Sequence, residues 1–477
     1  MVAAQLSRQT GPGATDTLWA EDGHLFLTAA LNFDHPFRLL LAPAGDYMHV
    51  TPRIVASIVG ARPLGEAAWL FATISATIVA ALSVFVFVAS KPLLPSPWTR
   101  AFLAAMMVLL APANVESLNN AANLHYFLGF AAFWGLLSQP RSWGESIVAS
   151  VVVAAAALSD PVTVVLAPLA ILPLIRRWGP KLSLVGGVFL VALAVHAAVW
   201  LTADSSGRYA DPDVSPGVQR ELDRRSFAPR AYAASNLGDL PALYGLRVVG
   251  SLWGGNDLLA GAWRSVGGAA AYAGLIGMGG VLVIGAVRRD LEDRWRMGLL
   301  VTYSILFFAV PVGIRGTDHL KSPPDVLSLA GSRFVLIPAL LLVAACAVCI
   351  EAPRGARPPV WVRVLSVGLA AAILAVALMD LRDSNLRSLG PTWSAELTAA
   401  EQWCRRTTGY VEVPITPPEG FNVLVSCSRV RSDVVSGSGT TISASGSRAL
   451  KIISERATYR QSSTSRPRVS SSPRSSP

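Results

Sequence analysis

Charge is scarce in this chain: only 15% of its 477 residues are Asp, Glu, Lys or Arg, against 52% hydrophobic. No soluble domain of this size could hide such long uncharged runs of Ala, Val and Leu in one core, so the composition is that of a polytopic membrane protein. A Gly-rich phosphate loop, an HExxH motif, a Cys/His cluster and a GxSxG elbow are all missing, which excludes a cytoplasmic nucleotide-using domain. The donor of any group transfer should then be lipid-borne. Cysteine is equally sparse, at four. Cys346 and Cys349 (CAVC) stand inside an apolar run with no His or carboxylate nearby, which points to packing rather than metal binding. The net charge of +10 is read against phospholipid head groups, because positive charge collects in cytoplasmic loops; nucleic acid is not an expected partner.

Ten apolar segments are expected to form an all-α bundle: 66–89, 101–112, 124–138, 146–158, 161–175, 182–202, 267–287, 297–313, 332–351 and 361–379. Several fall short of the roughly 20 residues a spanning helix usually needs. The stretch 146–175 reads either as one helix kinked at Pro161 or as two short helices meeting at Ser159-Asp160-Pro161. Loop charge decides between them. With ten crossings, alternate short loops carry Lys91 and Arg100; Arg141; Arg176, Arg177 and Lys181; Arg288, Arg289, Arg294 and Arg296; then Arg354, Arg357 and Arg363, while the opposite short loops hold only Arg315 and Lys321. One fused span would put most of that positive charge on the wrong side, so the broken hairpin is expected.

This topology places residues 1–65, the 203–266 loop, the 314–331 loop and the C-terminal region outside the cytoplasm, with 66–379 forming the transmembrane domain. Residues 1–65 contain neither a signal peptide nor a spanning helix. A helix upstream of this segment is therefore expected, the alternative being post-insertional translocation of a short polar stretch. Residues 380–431 read as a small appendage, GPTWSAELTAAEQWCRR as a surface helix followed by two short strands, YVEVPI and FNVLVSC. In an oxidising space Cys404 and Cys427 would pair and staple it. The Ser- and Arg-rich tail, 432–477, is expected to be disordered.

Most of the unusual chemistry lies in WAEDGHLFLTAALNFDHPFRLLLAPAGDYMHVTPRIV. LFLTAALNF and PFRLLLAP have the content of amphipathic helices lying on the membrane surface. Glu21 and Asp22 are adjacent and cannot both reach one atom, so at most one serves as a general base for an acceptor hydroxyl. Asp22 is favoured, because Gly23 beside it leaves room for a substrate; its alternative role is a helix N-cap. His24 belongs to the same group, and Tyr47, His49 and Arg53 form a polar-aromatic set suited to a sugar or phosphate. ESLNNAANLHYFLGF adds Asn119, Asn120, Asn123, His125 and Tyr126, polar groups that are costly at membrane depth unless paired, with interhelical hydrogen bonding as the other reading. Asp160 is either a further polar group facing the cavity or a turn former before proline. Arg315, His319, Lys321 and Arg333 could clamp a lipid phosphate as charge develops on it, or could snorkel to head groups.

WAEDGHLFL with GDYMHVTPR, NNAANLHYFL and GSRFVLIP, over residues 11–430, resembles a group of bacterial membrane proteins placed near the GT-C superfamily of integral membrane glycosyltransferases. The acidic dipeptide in the first outside loop, spans of uneven length and a small extracytoplasmic tail fit that superfamily. The resemblance implies an inverting transfer from a polyprenyl-phosphate sugar to an acceptor hydroxyl on a cell-envelope lipid, glycan or protein, in the bacterial inner membrane. It maps the base onto Asp22, with Glu21 the alternate, and phosphate contacts onto Arg333 and Lys321. No cofactor is expected; some members use a divalent metal, but few carboxylates stand near Asp22.

A transporter or flippase for a lipid-linked or anionic solute is the rival reading. Such proteins often show internal repeats and charges at the midplane, whereas this chain has no convincing repeat and gathers its polar residues at one face. A non-catalytic membrane scaffold is the third.

Overall fold

The computed structural model describes residues 1–33, 39–40, 47–110, 116–202, 237–287, 290–315, 332–350, 360–382, 386–418 and 420–436. Short helix α1 (Val2–Arg8) precedes a strap in which a π-helical turn, Asp22–Leu27, runs into α2 (Thr28–Asn32). Next come α3 (Val50–Gly60), α4 (Ala67–Ala89), α5 (Pro97–Leu109), α6 (Leu124–Leu137), α7 (Trp143–Ala157), α8 (Ala167–Arg176) and α9 (Pro180–Thr202). After several short helical turns, α10 (Gly255–Val266), α11 (Ala269–Val287), α12 (Leu291–Arg315), α13 (Arg333–Ile350) and α14 (Val360–Met379) complete the bundle. Among the described residues four helices, α4, α9, α11 and α12, are long and apolar enough to cross a membrane by length and composition.

Helix starts follow local chemistry. Ser96 caps α5, accepting from Thr99 N at 3.4 Å with Pro97 in the first turn, and Ser142 caps α7, accepting from Glu145 N at 3.1 Å. Asp160 accepts from Val162 N at 2.9 Å and opens a 3₁₀ turn, Pro161–Leu166, that leads into α8. Ser146 at the start of α7 donates to Lys181 O just after α8, at 2.7 Å. One continuous helix over that interval would separate those residues by about 50 Å at 1.5 Å per residue, so α7 and α8 form a hairpin. His196 of α9 then meets Ala157 at the far end of α7, 2.7 Å away, so α9 runs parallel to α7.

Two helices form the centre. Residues 124–136 of α6 and 334–348 of α13 are buried throughout, as expected of helices that are apolar all round. At 14 residues α6 is about 21 Å long, well under the roughly 30 Å of a hydrocarbon core. The turn before it, 116–123, is consequently sunk into protein, and every residue in it is buried. Irregular backbone survives at such depth only when its polar groups are met internally. Asparagines do this: Asn120 donates to Glu116 O and Leu118 O and accepts from Asn123 N, while Asn123 donates to Glu116 O at 2.8 Å. Cys346 and Cys349 pack against Met278 and Met297, sulfur to sulfur at 3.8 Å in each case.

The appendage consists of α15 (Trp393–Cys404), antiparallel strands β1 (Tyr410–Pro414) and β2 (Asn422–Ser426), and α16 (Cys427–Ser436). Val413 faces Val423 across the ribbon, and a Cys404–Cys427 disulfide ties the two helices. The appendage receives the N-terminal strap. Ala20 N donates to Thr416 O at 2.6 Å, Thr416 N to Leu18 O at 3.1 Å and Leu424 N to Thr28 Oγ1 at 3.1 Å. The LFLTAALNF segment packs one side against this ribbon, with Leu27 and Thr28 fully buried and Leu25, Ala30 and Leu31 partly buried. PFRLLLAP lies almost wholly outside the described residues, as do 203–236 of the long loop, the 316–331 loop with His319 and Lys321, and the tail from 437.

Candidate functional site

At the end of the bundle where α6 and α13 begin, a tight cleft is lined by Glu21, Tyr47, His49, Asn123, His125, Tyr126 and Arg333. Its enclosed space is about 30 Å³, room for a water or two, so a larger ligand enters only if a wall moves. Glu21 Oε1 stands 3.8 Å from Arg333 Nη1, each side chain about a quarter exposed. Glu21 Oε2 meets no hydrogen-bond partner among the described residues. Behind the arginine, Glu116 Oε2 accepts from Arg333 N at 3.2 Å and from Ser332 Oγ at 3.3 Å. Arg333 is thus held by two carboxylates, Glu21 at its guanidinium and Glu116 at its backbone N–H.

Asp22 points the other way. It is buried, and its two oxygens accept Ala121 N at 3.0 Å and Ala122 N at 2.7 Å. It caps not its own helix but the turn leading to α6. Burial pushes its carboxyl up to about 7, against the pull of the two amides and of Arg387. Arg387, also buried, is pushed down to about 10 by desolvation, opposed by Asp22; it donates to Leu118 O at 2.9 Å and to Thr17 O at 3.3 Å. Gly23 does not open space for a substrate, as its place beside Asp22 suggests: a Cβ there would stand 2.5 Å from Ile415 and 2.8 Å from Val423.

The sign of the Asp22 shift sets a pH dependence. A carboxyl whose folded value, about 7, exceeds its unfolded 3.8 binds its proton more tightly when folded, so its contribution is complete below about pH 4 and is lost as pH rises through 7. The thermal midpoint of detergent-purified protein is expected to fall between pH 5 and pH 8. In Asp22→Asn that difference should shrink; an unchanged slope would place the titration elsewhere.

The remaining residues sort by contact. His125 Nδ1 lies 2.8 Å from Ala122 O, which fixes the tautomer with Nε2 as the acceptor; Nε2 is 3.8 Å from Asp160 Oδ2 behind it. Tyr47 packs on His49 (ring centroids 4.0 Å) and His125 on Tyr126 (4.1 Å). His24 is turned to the appendage, its Nδ1 at 3.2 Å from Asn422 O and its ring edge on Phe421. Arg53 is buried 5.9 Å over the Phe26 ring, and Asn119 donates to Gln5 O at 2.9 Å. Arg315 ends α12, and its side chain is outside the described set.

Three residues of the neighbourhood carry no motif of their own. Glu116 sits just upstream of the asparagine cluster. Arg387 lies on the chain leading into the appendage. His196, alone in an apolar helix, bridges Ala157 O and Met48 N; its signal was a lone polar residue in a spanning run.

Among the described residues no three of His, Cys, Asp and Glu converge to hold a metal ion, and the group facing Glu21 is already a cation.

No family model matches the chain, and no curated protein matches it. It is similar in structure to the Archaeoglobus fulgidus oligosaccharyltransferase complexed with Zn and sulfate, at 14% identity and TM-score 0.40, over 85% of this chain and 55% of that one. The same enzyme tethered with an acceptor peptide containing the NVT sequon matches at 14% and 0.38, over 85% and 56%. The Archaeoglobus fulgidus enzyme AglB with an inhibitory peptide and a dolichol-phosphate matches at 15% and 0.39, over 85% and 57%. This chain spans a little over half the length of these neighbours.

Proposed function

We propose that the chain is an inverting membrane glycosyltransferase that moves a sugar from a polyprenyl-phosphate donor to an acceptor hydroxyl of a cell-envelope lipid, glycan or protein outside the cytoplasm. The observation that carries this reading is the Glu21–Arg333 pair, 3.8 Å apart in a cleft otherwise lined by imidazole, phenol and amide groups. A donor phosphate arriving at Arg333 competes with Glu21 for the guanidinium. The displaced carboxylate is then free to act as base. The acceptor oxygen attacks the anomeric carbon, its proton passes to Glu21, and the carbon–oxygen bond to the phosphate breaks, the leaving polyprenyl phosphate keeping the electron pair beside Arg333. His125, with Nε2 as acceptor, and Asn123 can bind sugar hydroxyls, while Tyr47 and Tyr126 offer apolar ring surface. Glu21, and not its neighbour Asp22, takes the role of base, since both Asp22 oxygens are held by backbone amides.

The test is transfer by purified protein in liposomes supplied with polyprenyl-phosphate sugars. The wild type should release polyprenyl phosphate in step with product. Arg333→Ala should lower kcat/KM by about tenfold to a hundredfold, the worth of a charge-assisted hydrogen bond. Movement of the lipid-linked sugar between leaflets without cleavage would overturn the assignment in favour of a flippase.

A further inference from the structure

The opposite end of the bundle holds a much larger cavity, about 1200 Å³, between α4, α5, α7 and the start of α12. The 14 residues of α6, whose first turn lines the cleft and whose end reaches Ser138 in this cavity, put the two about 21 Å apart. Its walls are apolar, with Val84 and Val88 on successive turns of α4 and Val148 of α7, all exposed. Its polar end carries Lys91, Arg100 and Arg141. The carboxylates of the lining are outnumbered, Lys91, Arg100, Arg141 and Arg296 standing against Glu145 and Glu292. Glu145 accepts from the backbone N of Arg141 at 2.6 Å, and Glu292 is bound to Arg296, which also holds Asp293 at 2.9 Å.

Arg100 distinguishes this place from a rim of snorkelling side chains. It is nine-tenths buried, stacked over the Phe87 ring at 4.6 Å, with Nη1 donating to Phe87 O at 3.0 Å. Its Nε is buried and meets no partner among the described residues. A buried guanidinium with an unmet donor beside two exposed cations, above walls fit for hydrocarbon, matches an anionic head group on acyl chains. We propose that this cavity binds an acidic phospholipid, its phosphate on Lys91, Arg100 and Arg141 and a chain along Val84, Val88 and Val148. Basic pockets between helices suit such head groups.

Delipidated protein in a neutral detergent should gain thermal stability with phosphatidylglycerol and not with phosphatidylcholine of the same chains or with inorganic phosphate. Lys91→Glu with Arg141→Glu, both exposed positions, should keep the lipid-free midpoint and weaken phosphatidylglycerol binding roughly tenfold or more. Val148→Trp, which fills the wall, should weaken it independently of charge. Equal shifts with both phospholipids would reduce the cavity to an apolar crevice, an equal shift with phosphate alone would make it a free-anion site, and full binding by the charge-reversed protein would remove the head group from this position. Each of these three results overturns the proposal.

Discussion

Glu21→Gln is expected to lower transfer from a polyprenyl-phosphate sugar by about 10²- to 10⁴-fold, the usual weight of a positioned general base, with little change in thermal midpoint. The amide keeps the shape of the carboxylate but cannot take the acceptor proton. Its structural cost is small because the pair it breaks is partly solvated, with about a quarter of each side chain exposed, and exposed pairs stabilise by no more than about 1 kcal/mol. Donor binding should survive or tighten, since Arg333 loses the competitor that the arriving phosphate must displace. Wild-type kcat in Glu21→Gln, measured by release of polyprenyl phosphate, would sink the assignment.

The neighbouring acid should behave in the opposite way. Asp22→Ala strips the partners from two buried amides, Ala121 N and Ala122 N, and removes the counter-charge of buried Arg387. Orphaned buried groups cost about 1–3 kcal/mol each, and a buried charge that loses its partner about 3–5 kcal/mol. We expect a loss of that order, seen as a large drop in thermal midpoint and poor recovery of folded protein. Asp22→Asn should fall between the two, because its amide nitrogen must face one of the backbone N–H groups. Two adjacent carboxylates thereby separate into one that moves kcat and one that moves stability.

Which of the two would face the cleft was not legible in WAEDG. The decisive contacts come from residues about 100 positions away for Asp22 and about 400 for Gly23, whose missing side chain makes room for Ile415 and Val423. Local pattern carries no trace of such pairings. The helices were far more visible, since uncharged runs long enough for several turns declare themselves, and each of the ten apolar stretches is helical over most of its described residues. Their central arrangement was less so: α6 and α13 are buried on every side, yet nothing in LHYFLGFAAFWGLL says that it is covered all round where YAGLIGMGGVLVIGAV is largely exposed. Asn119 and Asn120 read as a binding mouth because polarity at depth invites a ligand. Backbone carbonyls claim them instead, Gln5 O taking Asn119 and the sunken turn taking Asn120.

The seating of the strap between bundle and appendage imposes an order on biogenesis. Thr28 and Leu424 bond across 396 residues, so the segment bearing Glu21 is made well before the strand that locks it in place. At 5–20 residues per second, roughly 20–80 s separate the two events. Until the ribbon is made the strap has neither Thr416 nor Leu424 to bond to, so the cleft wall that carries Glu21 is completed only once the ribbon has arrived.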